Sequence, residues 1–172
     1  KNEKIKVFEI DFQGENDLTL NLDEVEKFPF KDNEFECVCC FDVLEHLENF
    51  HNIANELVRV SSNKVFISLP VSSALFFNII KNKKRDNDEE GYYFKFYGLP
   101  IKIPKDRHRW FLTVKDIEVF FQYLAKEKNL KVSFFSHKKK SIKFKIFKFF
   151  LGERNAKELL LPFVWIMLEK KS

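Results

Sequence analysis

Apolar and polar positions alternate over Lys4–Ile10 (KIKVFEI), a period-two strand pattern that ends at Asp11. Gln13–Asp17 is polar and holds Gly14, so it reads as a loop, and Leu18–Leu22 reads as a short second strand. Phe28-Pro29-Phe30-Lys31-Asp32-Asn33 is a turn by its Pro and Asp-Asn punctuation. Phe35–Phe41 (FECVCCF) is almost continuously apolar, the pattern of a strand buried on both faces of a parallel sheet.

Period two then gives way to a helical period. Phe50, Ile53, Ala54, Leu57 and Val58 fall at i, i+3, i+4, i+7 and i+8 and predict a helix that ends at Ser61-Ser62-Asn63. Lys64–Leu69 (KVFISL) is the next buried strand, stopped by Pro70, which completes a right-handed βαβ unit. Ser73–Asn82 is expected to be helical and Lys83–Gly91 a charged, solvated loop. Gly98–Trp110 is irregular. Thr113 with Asp116 forms a capping box ahead of a helix whose buried stripe is Ile117, Phe120, Phe121 and Leu124. Leu130–Ser136 is a strand, Ser141–Leu161 turns helical, and Phe163–Glu169 (FVWIMLE) is a final strand.

The length of 172 residues fits a single domain, 1–172, and a hydrophobic fraction of 45% is enough for a core. The net charge of +4 permits an anionic partner without demanding one, and it is weak support for binding nucleic acid. Cys37, Cys39 and Cys40 are too close and too few for a disulfide framework or a zinc site. They read as small buried hydrophobes in a strand, and they suggest a reducing, cytoplasmic setting. The longest apolar run, Val65–Ile80, is broken by Ser68, Pro70, Ser72, Ser73 and Asn78 and does not read as a membrane span. No leader pattern is visible, and the chain starts at Lys1 rather than Met, as expected of a domain cut from something longer.

Four places carry candidate chemistry, each with a plainer reading beside it. Asp11, at a strand end, is suited to bind vicinal ribose hydroxyls, or is an ordinary loop carboxylate. Asp42, Glu45 and His46 share one face of a helical turn after the third strand, which suits metal ligation or acid–base chemistry. The plainer reading there is a capped turn with surface charges. His108 lies in a cationic and aromatic stretch, Arg107-His108-Arg109-Trp110-Phe111, which suits closure over a ligand or a mere anchored connection. Lys138–Phe150 (KKKSIKFKIFKFF) interleaves lysines with large apolar residues, a composition for peripheral contact with an anionic membrane, yet its lysines do not separate cleanly from its apolar positions on a helical wheel. Packing of that segment on the sheet is the alternative.

In order, these elements resemble a class I S-adenosylmethionine-dependent methyltransferase. The likeness runs from about Val7 to Glu169 and rests on the Phe28-Pro29-Phe30 turn with its Asp32-Asn33-Glu34-Phe35-Glu36 sequel. It rests also on Val43-Leu44-Glu45-His46, Ile67-Ser68-Leu69-Pro70, Arg107–Phe111 and the closing Val164–Glu169 strand. The resemblance implies an α/β fold, a Rossmann-like mostly parallel sheet with helices on both faces and an antiparallel C-terminal strand. It implies S-adenosylmethionine as cofactor, with Asp11 at the ribose, Asn21 and Leu22 near the adenine, and Phe41 and Asp42 beside the methionine portion. Glu45, His46 and His108 would face the substrate, with His46 or His108 as the catalytic base.

The family's glycine-rich cofactor loop has no counterpart before Asp11, so the first strand and helix of the family fold are expected to be missing here, leaving a gap beside the strand that starts at Phe35. Some O-methyltransferases, small-RNA 2′-O-methyltransferases among them, carry an acidic-x-x-Glu-His box that binds a divalent metal. Asp42, Glu45, His46 and His108 are similar in type and order. The function implied is methyl transfer to an O or N atom of a small molecule, glycan or lipid-linked intermediate. The competing reading is a catalytically inactive methyltransferase-like remnant that serves as a binding or interaction module.

Overall fold

The computed structural model describes residues 5–82, 107–136 and 142–171. The charged loop expected at Lys83–Gly91, most of Gly98–Trp110 and Lys138–Lys140 lie outside these residues. The elements run β1 (Ile10–Asp11), β2 (Leu18–Thr19), β3 (Phe35–Phe41), a 3-10 turn (Leu44–His46), α1 (Phe50–Val60), β4 (Ser61–Pro70), α2 (Ser72–Asn82), α3 (Val114–Glu127), β5 (Leu130–Phe135), α4 (Ile142–Leu160) and β6 (Phe163–Lys170).

β3, β4, β6 and β5 form one sheet in that spatial order, while β1 and β2 form a separate parallel pair. β3 is parallel to β4, and β6 is antiparallel to both β4 and β5. Three strands of the sheet therefore run one way and β6 alone runs back. The register sets Val65, Ile67 and Leu69 of β4 beside Leu168, Ile166 and Val164 of β6. All six are buried, and alternation along both strands puts them on one face of the sheet. Fully burying an aliphatic side chain contributes about 1.5–3 kcal/mol, so this pair of strands is the centre of the core.

α1 and α3 cover the core side by side, with the Phe50 and Phe120 ring centroids 5.3 Å apart. The stripe read from the sequence is the buried one in α1: Phe50, Ile53, Ala54, Leu57 and Val58. The capping box of α3 forms as expected, with Asp116 N–H donating to Thr113 Oγ1 (3.1 Å) and Thr113 N–H donating to Asp116 Oδ2 (3.1 Å). A second carboxylate joins it from far along the chain: Glu158 of α4 accepts from the Val114 N–H (2.8 Å) and the Lys115 N–H (3.0 Å). A negative charge on the exposed amides of a helix start is the favourable arrangement.

The Phe28–Asp32 turn is fastened to the end of α1. Glu56 accepts from the Phe28 N–H (2.7 Å), and Arg59 donates to Phe28 O (3.1 Å), Phe30 O (2.8 Å), Asp32 Oδ1 (2.7 Å) and Glu56 Oε1 (2.7 Å). Phe28 is buried and Phe30 packs edge-on to Phe35 with centroids 5.0 Å apart, so the turn seeds the start of β3.

The fold corrects three expectations. The strand read at Lys4–Ile10 is reduced to Ile10–Asp11, with Ile5 and Val7 exposed; alternation alone does not make a ladder where no neighbouring strand pairs with it. Ser61-Ser62-Asn63 ends α1 but already belongs to β4, because the ladder with β3 begins at Ser61. β3 is not buried on both faces: Glu36, Cys37, Cys39 and Phe41 are exposed, and only Cys40 of the three cysteines is buried. Its ladder partner is β4, and among the described residues no strand pairs with its other edge.

Candidate functional site

β3 delivers its carboxyl end to a tight reversal. Asp42 adopts a left-handed conformation (φ 53°), which bends the chain out of the sheet. The reversal is held from β4. The Ser68 hydroxyl donates to Asp42 Oδ1 (2.9 Å) and accepts from the Asp42 N–H (3.1 Å). The 3-10 turn follows at once. Leu44 is fully buried and anchors it, which carries Glu45 inward to 2% exposure and leaves His46 half-buried.

His108 arrives from another part of the chain. The Arg109 N–H donates to Glu45 O (2.7 Å), and the Trp110 indole N–H donates to Leu47 O (2.7 Å). Leu112 exchanges bonds with Ser72, its N–H donating to Ser72 Oγ (3.0 Å) and its carbonyl accepting from the Ser72 N–H (2.7 Å). The Arg109 guanidinium meets the Glu48 carboxylate at 3.0 Å. This lacing draws residues 107–112 across the 3-10 turn and buries His108 at 4% exposure.

Three titratable side chains converge as a result. Glu45, His46 and His108 each offer one ligand atom, and these atoms lie within 4.8 Å of one another. His46 Nε2 is 3.7 Å from Glu45 Oε1, and the two imidazole rings meet edge to face with centroids 4.7 Å apart. A buried carboxylate beside an imidazole is the arrangement of an oriented base. Cys40 sits behind the cluster. Its burial, with the Glu45 charge second, pushes its thiol up to about 12, so it stays a neutral filler there.

Asp42, expected with this group, is instead turned to Ser68. The residues expected at the cofactor fall in two places. Leu20, the neighbour of Asn21 in the chain, donates its N–H to Asp11 O (2.9 Å). The Asp11 carboxylate accepts from the Phe12 and Gln13 N–H groups of its own loop. The Asn21 amide donates to Glu24 Oε1 (2.7 Å) and accepts from the Asp23 N–H (3.2 Å). Leu22 is half-buried against the core. Phe41 and Asp42 lie at the end of β3, where the exposed Phe41 ring packs 5.2 Å from Trp165. Phe8, just before β1, touches Phe30 and Phe35 at the start of β3, with centroids 5.5 Å and 6.0 Å away.

Sequence reading missed Ser68, Ser72 and Glu158, the three side chains that fasten these segments. Each acts on a residue at least 26 positions away, and no local spacing signals such a pairing. An apolar pocket is lined by Phe50, His51, Leu69, Trp110, Ile117 and Phe120, and none of the three cluster residues lines it.

Residues 2–68 match the family described as Methyltransferase domain. The match spans 67 of the 172 residues, and over that segment the chain is similar to this family. The family implies S-adenosylmethionine as the cofactor, and the mixed sheet with its single reversed strand is similar to the Rossmann-like methyltransferase fold. A Listeria monocytogenes protein assigned as an S-adenosylmethionine-dependent methyltransferase is similar in fold, at 13% identity and a TM-score of 0.50 over 95% of this chain and 78% of that one. The methyltransferase domain of bacterial CtHen1 is 15% identical with a TM-score of 0.47, over 88% of this chain and 60% of that one. This chain thus spans 60% of the length of the CtHen1 domain. No curated protein matches it.

Proposed function

We propose that this chain serves methyl transfer from S-adenosylmethionine to an oxygen or nitrogen of a small molecule, glycan or lipid-linked acceptor. The convergence of Glu45, His46 and His108 after the carboxyl end of β3 carries the reading. Ligands of open α/β sheets bind at that edge.

The cofactor supplies a methyl group already activated as a sulfonium. The chain's residues have to position the acceptor and take its proton. Half-buried His46, the more accessible of the two imidazoles, is our choice for the group that receives it, with buried His108 set edge-on against it. Glu45, 3.7 Å from His46 Nε2, stabilises the imidazolium that results. The bound cofactor would supply its methyl carbon to the acceptor atom and leave as S-adenosylhomocysteine, while the imidazole would take the acceptor's proton. Asp11 and Asn21 would hold the ribose and adenine, and Phe41 and Asp42 the methionine portion.

The same three groups suit a divalent cation. Two imidazole nitrogens and one carboxylate oxygen leave coordination positions open, and such an ion acidifies a bound hydroxyl. Glu45, His46 and His108 would hold it, with Asp42 kept by Ser68 outside the set.

Isothermal titration of S-adenosylmethionine into the chain tests the reading. Saturable binding that weakens in Asp11→Ala is expected, and no heat at millimolar cofactor overturns it. Titrating Mg²⁺, Mn²⁺ and Zn²⁺ while following the imidazole proton resonances tests the metal. Selective shifts of His46 and His108, lost in Glu45→Gln, are expected; no shift at millimolar metal removes the ion from the proposal.

A further inference from the structure

α4 is two helical pieces. Gly152 breaks it with a left-handed φ of 81°, so Ile142–Leu151 and the following residues point differently. The second piece is well fastened. Glu158 caps α3 and also accepts from the Ser73 hydroxyl through its backbone carbonyl (2.8 Å) and its carboxylate (3.0 Å). Ala156 within it is fully buried.

The first piece has two apolar faces. Phe144 and Phe147 are half-buried, and the Phe147 ring lies 6.0 Å from Phe77 of α2. That face docks the helix on the protein. At 3.6 residues per turn, Phe149, Ile142, Ile146 and Phe150 fall within an arc of about 100° elsewhere on the helix. These four are 83%, 76%, 48% and 75% exposed. Lys145 borders the arc on one side and Lys143 on the other, both exposed. Lys148 lies further round and pairs with Glu153 at 2.7 Å. The imperfect segregation on the helical wheel thus has a structural cause: one apolar stripe faces the protein, a second faces out, and lysines separate them.

Large exposed aromatic side chains between lysines suit the boundary between lipid headgroups and acyl chains. There the rings enter the apolar layer and the ammonium groups reach anionic phosphates. No described helix is long and apolar enough to cross a membrane, so the segment fits lying on a bilayer rather than spanning it. We propose that Ile142–Leu151 docks this protein on an anionic phospholipid surface through Ile142, Ile146, Phe149 and Phe150, with Lys143 and Lys145 engaging the headgroups.

The position has a consequence for the candidate site. α4 leads into β6, whose first residue Phe163 pairs with Pro70 at the carboxyl end of β4. β3 is parallel to β4 and ends at that same edge with the Glu45–His46–His108 cluster. The second piece of α4 therefore reaches the sheet at the edge that carries the cluster. The docking itself does not depend on methyl transfer.

Co-sedimentation of the full chain with vesicles tests this. Phosphatidylcholine vesicles containing about a third phosphatidylserine should bind the chain and pure phosphatidylcholine far less, with binding weakened by added salt. The pair Phe149→Ser and Phe150→Ser should lower partitioning about tenfold or more, given the apolar area each ring withdraws from water. Lys143→Gln with Lys145→Gln should lower it by up to about 25-fold on anionic vesicles only, at about fivefold per lysine. Both pairs are on the surface, so unchanged melting temperatures confirm that the fold survives. Three outcomes overturn the proposal. One is no binding to anionic vesicles, and another is equal binding by the serine pair and the parent. The third is self-association of the parent through this stripe, abolished in the serine pair, with no vesicle binding.

Discussion

β3 and β4 are neighbouring apolar strands in one ladder, yet their fates differ. β4 is flanked by β3 and β6, covered by α1, and buried along most of its length from Val65 to Pro70. β3 has β4 on one edge, and four of its seven residues are exposed. Both stretches read as buried strands from sequence, and β3 reads the more uniformly apolar. The difference teaches that an apolar run records capacity for burial, while the neighbours on each edge and face decide whether the capacity is used. It also ranks the two: β4 with β6 carries stability, and β3 carries the site.

Mutations in the two strands put that ranking to the test. Ile67→Ala, at a fully buried position paired with Ile166, should cost about 2–5 kcal/mol in urea unfolding. Half-buried Val38 of β3 should cost clearly less when cut to Ala; equal costs would break the comparison.

Arg59→Met comes next. It leaves the Glu56 carboxylate, 7% exposed, with the Phe28 N–H as its remaining bond in the clamp, and should cost about 2 kcal/mol. The clamp is also sensitive to acid. Hydrogen bonds from Arg59 hold the Glu56 carboxyl below its ordinary value of 4.5. A depressed folded-state pKa adds stability above the ordinary value, and that stability is lost as pH falls through the depressed one. The parent should therefore lose stability below about pH 4.5 more steeply than Arg59→Met in urea melts across that range. Parallel pH curves would show that the turn before β3 does not rely on this pair.

The smallest effect is expected on the outer face of β3. Cys39→Ser should stay within about 0.5 kcal/mol of the parent. Iodoacetamide with mass spectrometry should label exposed Cys37 first. Cys39 should follow more slowly, since partial burial and neighbouring Cys37 raise its thiol pKa. Cys40 should react only after unfolding. Protection of all three in the native protein would mean that the flank is covered in solution, and the contrast with β4 would shrink.

Much of the fold was legible because helical and strand periods are local properties of the chain. The stripe of α1, the Thr113–Asp116 box of α3 and the final strand itself need only a few neighbouring positions to be seen, whereas the reversed direction of that strand came from the family resemblance. The Lys4–Ile10 strand and the buried β3 failed for one shared reason: a strand needs a partner, and partners are not encoded within it. The site was legible in part. Glu45 and His46 are adjacent, and the turn after an apolar strand marks them. The separation of Asp42 from them was not legible, because it depends on the Ser68 hydroxyl reaching across from β4.

The sequence determined which elements form, where the helices begin and which residue types gather after β3, since capping, periodicity and turn chemistry act over a few residues. Tertiary structure alone decided that His108 meets His46 and Glu45, through backbone bonds such as Arg109 N–H to Glu45 O that no short motif encodes. It also decided which apolar stripe of α4 packs on α2 and which is left to solvent, because a helix with two such stripes acquires an inside only when another helix occupies one of them.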